Sequence, residues 1–169
     1  MRYVVGGAFA FTLAMVQASS VEQFRILGVA PNLMLVMLVS WLVVRGLDDV
    51  LPMVAVSGIT LGFVGLQTPG VILFALLAPL ALLGVVRELK VVHSETLLIV
   101  ALVLAASLAY ETIVLGAVMA TGGVFDPMRG MTEVVLPAAI VNLAIALPVY
   151  LAMRLVRPSM PRRRNVYSF

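Results

Sequence analysis

The sequence predicts an all-α fold, a compact bundle of six transmembrane helices in a polytopic membrane protein, and three observations carry that prediction. Of its 169 residues 63% are hydrophobic and 11% charged, with a mean hydropathy of +1.16, which leaves too little polar surface to cover a water-soluble sphere. Apolar runs close to the thickness of a bilayer recur along the chain. Short connections rich in Pro, Gly and charge separate them, so no soluble domain is expected on either face. A bilayer suits such a chain, because lipid replaces water around the apolar exterior and helices satisfy their own backbone groups.

The first segment runs from about Tyr3 to Val21, with Arg2 before it and Glu22 and Arg25 after it. Val16-Gln17-Ala18 followed by Ser19 also resembles a signal-peptide cleavage site, but a thin basic n-region and the apolar segment that follows favour a retained span. Segment two opens at Pro31, whose missing N–H costs little in a first helical turn, and runs to Val44. Segment three starts near Val50, carries Pro52 in its first turn and ends around Leu66. Both are short for ~30 Å of hydrocarbon at about 1.5 Å per residue, so flanking residues or local thinning must make up the difference. Between them lies a charged turn with Arg45, Asp48 and Asp49, in which the two acids are placed to cap segment three.

After the turn Gln67-Thr68-Pro69-Gly70, segment four covers about Val71 to Val86 with Pro79 in its middle. Arg87, Glu88, Lys90, His93 and Glu95 then form a charged loop. Segment five, the longest, runs from about Thr96 to Thr121 and holds Glu111 inside an apolar run. Gly122 to Thr132 is a polar connection with Asp126-Pro127 and Arg129. Segment six runs from about Glu133 to Val156 with Pro137, Asn142 and Pro148. Residues 1–156 thus form the six-helix domain and 157–169 a basic tail.

Lys and Arg orient these spans. Nine of the 11 basic residues (Arg2, Arg45, Arg87, Lys90, Arg154, Arg157, Arg162, Arg163 and Arg164) fall on one side and only Arg25 and Arg129 on the other, which places both termini in the cytoplasm. The net charge of +3 is therefore read as topology and not as a nucleic-acid surface. The cluster Arg162, Arg163 and Arg164 is suited to lipid headgroups, at about 1 kcal/mol per charge near an anionic surface. With no cysteine and a single histidine, His93, disulfides, thiolate ligands and multi-histidine metal sites are excluded. Neither a Gly-rich phosphate loop nor a nucleophile with a nearby base is present, so no enzyme activity, cofactor or metal is expected.

Glu111 stands out, because a carboxylate deep in a membrane costs several kcal/mol unless it is protonated, paired or hydrogen-bonded. It lies about ten residues, or ~15 Å, from the outer end of segment five, and Asn142 lies about nine residues, or ~13 Å, into segment six from that side. Their similar depth allows a polar clasp between Glu111 and Asn142. A proton or cation site is the competing reading, disfavoured because no second intramembrane acid or histidine continues a relay. Ala10, Ala14 and Ala18 flatten one face of segment one, and Gly58, Gly62 and Gly65 do likewise in segment three. Such spacing fits close packing within the bundle better than a partner interface.

The stretch Val29-Ala30-Pro31-Asn32-Leu33-Met34-Leu35-Val36, then Trp41-Leu42-Val43-Val44-Arg45-Gly46-Leu47, then Ser57-Gly58-Ile59-Thr60-Leu61 and Pro69-Gly70 resembles the rod-shape-determining protein MreD family. Size, span number and basic tail agree with it, while the motifs themselves cover about a quarter of the chain. Gly62 stands where many members carry an aspartate, so no role of that acid carries over. The resemblance implies a non-enzymatic scaffold of the bacterial elongasome, in the inner (cytoplasmic) membrane. It implies MreC as the direct partner, and RodA, a class B penicillin-binding protein and MreB as indirect ones, in lateral peptidoglycan synthesis and cell shape. Ala10, Ala14 and Ala18 also resemble the docking motif of vitamin-binding S components of energy-coupling-factor transporters, whose fold MreD is similar to. That makes an S component the alternative, and a small proton-coupled transporter using Glu111 a third.

Overall fold

A computed structural model describes residues 2–19, 23–65, 67–89, 92, 94–123 and 126–156 and shows an all-helical bundle. Its helices are α1 (Arg2–Ser19), α2 (Leu33–Arg45), α3 (Leu47–Val64), α4 (Pro69–Glu88), α5 (Glu95–Ala120), the single turn α6 (Pro127–Gly130) and α7 (Leu136–Val156), with a π-helical turn, Met131–Val135, joining the last two. All six apolar segments of the sequence become helices, but they are not equivalent. Four are long and apolar enough to cross a membrane: α3, α4, α5 and the continuous run Pro127–Leu155. The other two, Tyr3–Ser19 and Leu33–Arg45, are shorter.

The shortest, α2, is the centre of the molecule. Its 13 residues rise only ~20 Å, about two thirds of a hydrocarbon core. Eight of those 13 are buried and none is fully exposed, so α2 is a core helix. It touches all five of the other long elements, which follow one another around it in the order α1, α3, α4, α5, α7. Met34, Leu35, Leu38, Leu42, Met53, Leu76, Leu80 and Ile99 are fully or almost fully buried in the resulting core.

A single residue separates α2 from α3. Gly46 adopts φ +97°, a backbone conformation that L side chains rarely take, so the chain reverses without a loop. Helix α3 therefore starts at Leu47, earlier than the sequence predicts, and Pro52 falls in its second turn. Asp48 and Asp49 consequently sit inside the first turn, and the N-cap position is Gly46, which has no side chain to cap with. Their charge still matches the positive end of the helix dipole.

The small residues are used inside the bundle. Ala10 and Ala14 are fully buried on the helix that packs along α3, while Ala18 is half-buried. At Gly58 a Cβ would stand 2.8 Å from the Leu73 Cα, and at Gly62 it would fall on the Pro69 backbone. Both glycines thus let α4 lie against α3 backbone to backbone. Gly65 does something else: it ends α3, its N–H donating to the Leu61 carbonyl at 2.7 Å.

The π-helical turn has a local cause. Pro137 has no N–H to donate and its ring clashes with the carbonyl of the preceding turn in a regular helix. Leu136 donates instead to the Met131 carbonyl, five residues back, and the widened turn absorbs the proline. Between α1 and α2 the chain makes a tight hairpin turn, with Ile26 and Val29 exchanging backbone bonds of 2.8 and 3.1 Å. Leu27 at φ 56° and Gly28 at φ 82° form its tip, the pattern of a type I′ turn. The cluster Arg162, Arg163 and Arg164 lies outside the described residues, as does His93.

Candidate functional site

A buried helix shorter than its neighbours ends inside the protein, where water cannot satisfy its free backbone groups. Side chains from other helices do so here. At the start of α2, Asn32 Oδ1 accepts from the Leu35 N–H at 2.9 Å, a standard N-cap bond. The N–H of Asn32 itself donates to Asn142 Oδ1 on α7 at 2.7 Å. Asn142 Nδ2 donates in turn to Ser107 Oγ on α5 at 3.1 Å. Asn142 and Ser107 are fully buried and Asn32 nearly so, so three elements are pinned at one point. On the other side of the same chain segment, Gln17 Nε2 on α1 donates to the Pro31 carbonyl at 3.0 Å. The Gln17 Oε1 is buried without a donor among the described residues.

The opposite end of α2 is closed by Arg87 from α4. Its Nε donates to the Val43 carbonyl at 3.2 Å, placing a cation at the negative end of the α2 dipole. Arg87 also pairs with Glu88 at 2.8 Å, where the Glu88 side chain is 68% exposed, and such a surface pair contributes little. Beside this end, Tyr3, Gly6, Trp41, Asp49, Pro52 and Met53 line a small cleft between α1, α2 and α3. Trp41 Nε1 at this cleft and Arg45 Nη2 at the last residue of α2 are buried without hydrogen-bond partners among the described residues. Tyr150, 2% exposed, donates its hydroxyl to Glu95 Oε2 at 2.7 Å and ties α7 to the start of α5.

Glu111 and Asn142 do not form the clasp that their depths allow. The Asn142 amide is engaged by Ser107 and Asn32, and Glu111, half-buried, makes no hydrogen bond or ion pair with the described residues. The reason is rotational. Ser107 precedes Glu111 by one turn, and at about 100° per residue the two side chains differ by about 40° around α5. Ser107 points into the core and Glu111 lies on the flank of the helix. Sequence reasoning missed Ser107, which reads as one small residue among many, and the Tyr150–Glu95 bond. It also passed over Asn32, although an Asn ahead of an apolar run is a cap signature.

Chemically, this assembly is made of amides, hydroxyls and backbone groups that hold helices together. No three acidic or histidine side chains come together among the described residues. Comparison of the chain with protein-family models, with curated proteins and with solved structures finds no match.

Proposed function

We propose that this chain is a non-enzymatic membrane scaffold of the MreD type, crossing the bacterial cytoplasmic membrane six times with both termini inside, and that it binds MreC to regulate lateral peptidoglycan synthesis. The resemblance on which this rests lies in the hairpin α2–α3, and one structural observation supports it. The buried polar side chains Gln17, Asn32, Ser107 and Asn142 bond to one another or to backbone. They close the start of a central helix and spend their hydrogen bonds there, whereas an S component needs polar groups free to line a chamber for a small molecule. Ala10 and Ala14, which would dock an S component on its transporter, are buried within this bundle.

In this reading α1 and α2 count as spans through their packing, with neighbouring helices covering what their length leaves open. The test is affinity purification of the tagged chain from a rod-shaped bacterium under mild detergent. MreC is expected to co-purify, and depletion of the chain is expected to round the cells. Purified protein that releases a stoichiometric vitamin on denaturation and retains no MreC overturns the scaffold in favour of the S component.

A further inference from the structure

The helices around α2 follow in the order α1, α3, α4, α5, α7, and the two at the ends of that series, α1 and α7, hardly touch. The ring is therefore open on one side, and the exposure of α2 shows which of its residues lie there. Leu33, Met37 and Val44 are half-buried and, at about 100° per residue, fall within about 40° of one another around the helix axis. Trp41 beside them leans on Phe9 of α1, with ring centroids 6.1 Å apart. Apart from these four and Arg45, every residue of α2 is buried. On α7 the facing wall is the flank of Val141, continued at helical spacing by Ile145 and Pro148.

The result is an apolar groove with α2 as its floor, and one of its ends is closed. The turn between α1 and α2 crosses it there, held to α1 by the bond of 3.0 Å from Gln17 to the Pro31 carbonyl and to α7 by the packing of Val29 on Ala138 and Val141. Leu33 and Val44 lie 11 residues apart, so the floor is ~16 Å long. At its other end stands Arg45, the last residue of the helix, with its Nη2 lacking a hydrogen-bond partner among the described residues.

We infer that this groove binds one phospholipid of the cytoplasmic leaflet, with an acyl chain over Leu33, Met37 and Val44 and an anionic headgroup at Arg45. Length selects the occupant: half of a hydrocarbon core of ~30 Å is ~15 Å, the length of the floor. A membrane-crossing helix, from another protein or from a second copy of this chain, needs the full thickness and would run into the turn between α1 and α2. Chemistry agrees. Side chains of Leu, Met and Val offer a polar solute nothing to bond, whereas a cation at the mouth complements an acidic headgroup. The orientation proposed above enters only in naming the leaflet.

The test is photolabelling of the purified full chain in vesicles of phosphatidylcholine that carry a trace of phosphatidylglycerol with a diazirine midway along one acyl chain. A second probe has the same acyl chains and a phosphatidylcholine headgroup. Adducts mapped by mass spectrometry are expected on α2 around Met37, about fivefold more with the anionic probe, the equivalent of ~1 kcal/mol. Leu82, 66% exposed on α4, is expected to label equally with both. Met37→Trp, which fills the groove, is expected to lower the α2 adduct about tenfold and leave Leu82 labelling unchanged. Arg45→Gln, at the mouth, is expected to keep the α2 adduct and bring the two probes within about twofold of each other. Adducts confined to outward residues such as Leu82, equal labelling of α2 by both probes in the wild type, or a preference that survives Arg45→Gln overturn the lipid site. None of these outcomes involves MreC or depends on orientation, so the lipid site and the scaffold reading fail separately.

Discussion

Asn142 works with both halves of its amide, accepting from the backbone of Asn32 and donating to Ser107, and this double use makes it the most consequential polar side chain in the bundle. Asn142→Ala strands a buried backbone N–H, and that loss is expected to cost about 1–3 kcal/mol. Ser107→Ala removes one hydroxyl acceptor and is expected to cost nearer ~0.6 kcal/mol, the average for interhelical bonds in a membrane protein. Thermal unfolding in detergent should rank the two in that order; equal losses would show that the Asn32 contact contributes nothing. The importance of Asn142 is legible in the sequence, as a polar residue in an apolar run. Its partner is not, because Ser107 and Glu111 lie at adjacent depths and only the rotation of α5, set by packing against α2 and α7, selects between them.

Helices α3 and α4 meet through glycine. An added methyl at Gly62 would collide with the Pro69 backbone, whereas one at Gly70 meets nothing within 4 Å. Gly62→Ala is therefore expected to destabilise by about 1–3 kcal/mol through forced separation of the helices, and Gly70→Ala to change stability by less than about 0.5 kcal/mol. Chemical denaturation of the two variants checks the contrast. At this scale the sequence is informative where the chain is most regular: α5 is expected from about Thr96 to Thr121 and runs from Glu95 to Ala120. It misleads at α3, because a one-residue reversal at Gly46 leaves no loop to see. The composite helix ending in α7 starts at Pro127, earlier than the Glu133 expected, because Asp126 Oδ1 accepts from the Met128 N–H at 3.0 Å and Pro127 opens the first turn.

For the molecule as a whole, composition identifies the class, but it does not reveal which helix lies in the middle. In lipid, apolar residues appear on every side of a helix, so the one-sided pattern that marks a core face in water is absent. Only the shortness of α2 hints at its place, since 10–14 apolar residues more often form a buried helix than a span. The basic-residue asymmetry makes a separate statement about orientation, and the absence of cysteine makes it easy to test. With single substitutions Thr121→Cys and Leu89→Cys, an impermeant maleimide is expected to label the first in intact spheroplasts and the second only after lysis. The reverse pattern would invert the topology. The central helix also constrains how the chain is made. One end of α2 is closed by Arg87, more than 40 residues downstream, and the other by Asn142, 110 residues downstream. When α2 emerges from the ribosome it has neither, and Asn142 arrives long after Arg87. The core cannot close until α7 has entered the membrane, so a chain truncated before α7 would pack α2 against α3, α4 and α5 but leave its start without the Asn142 bond.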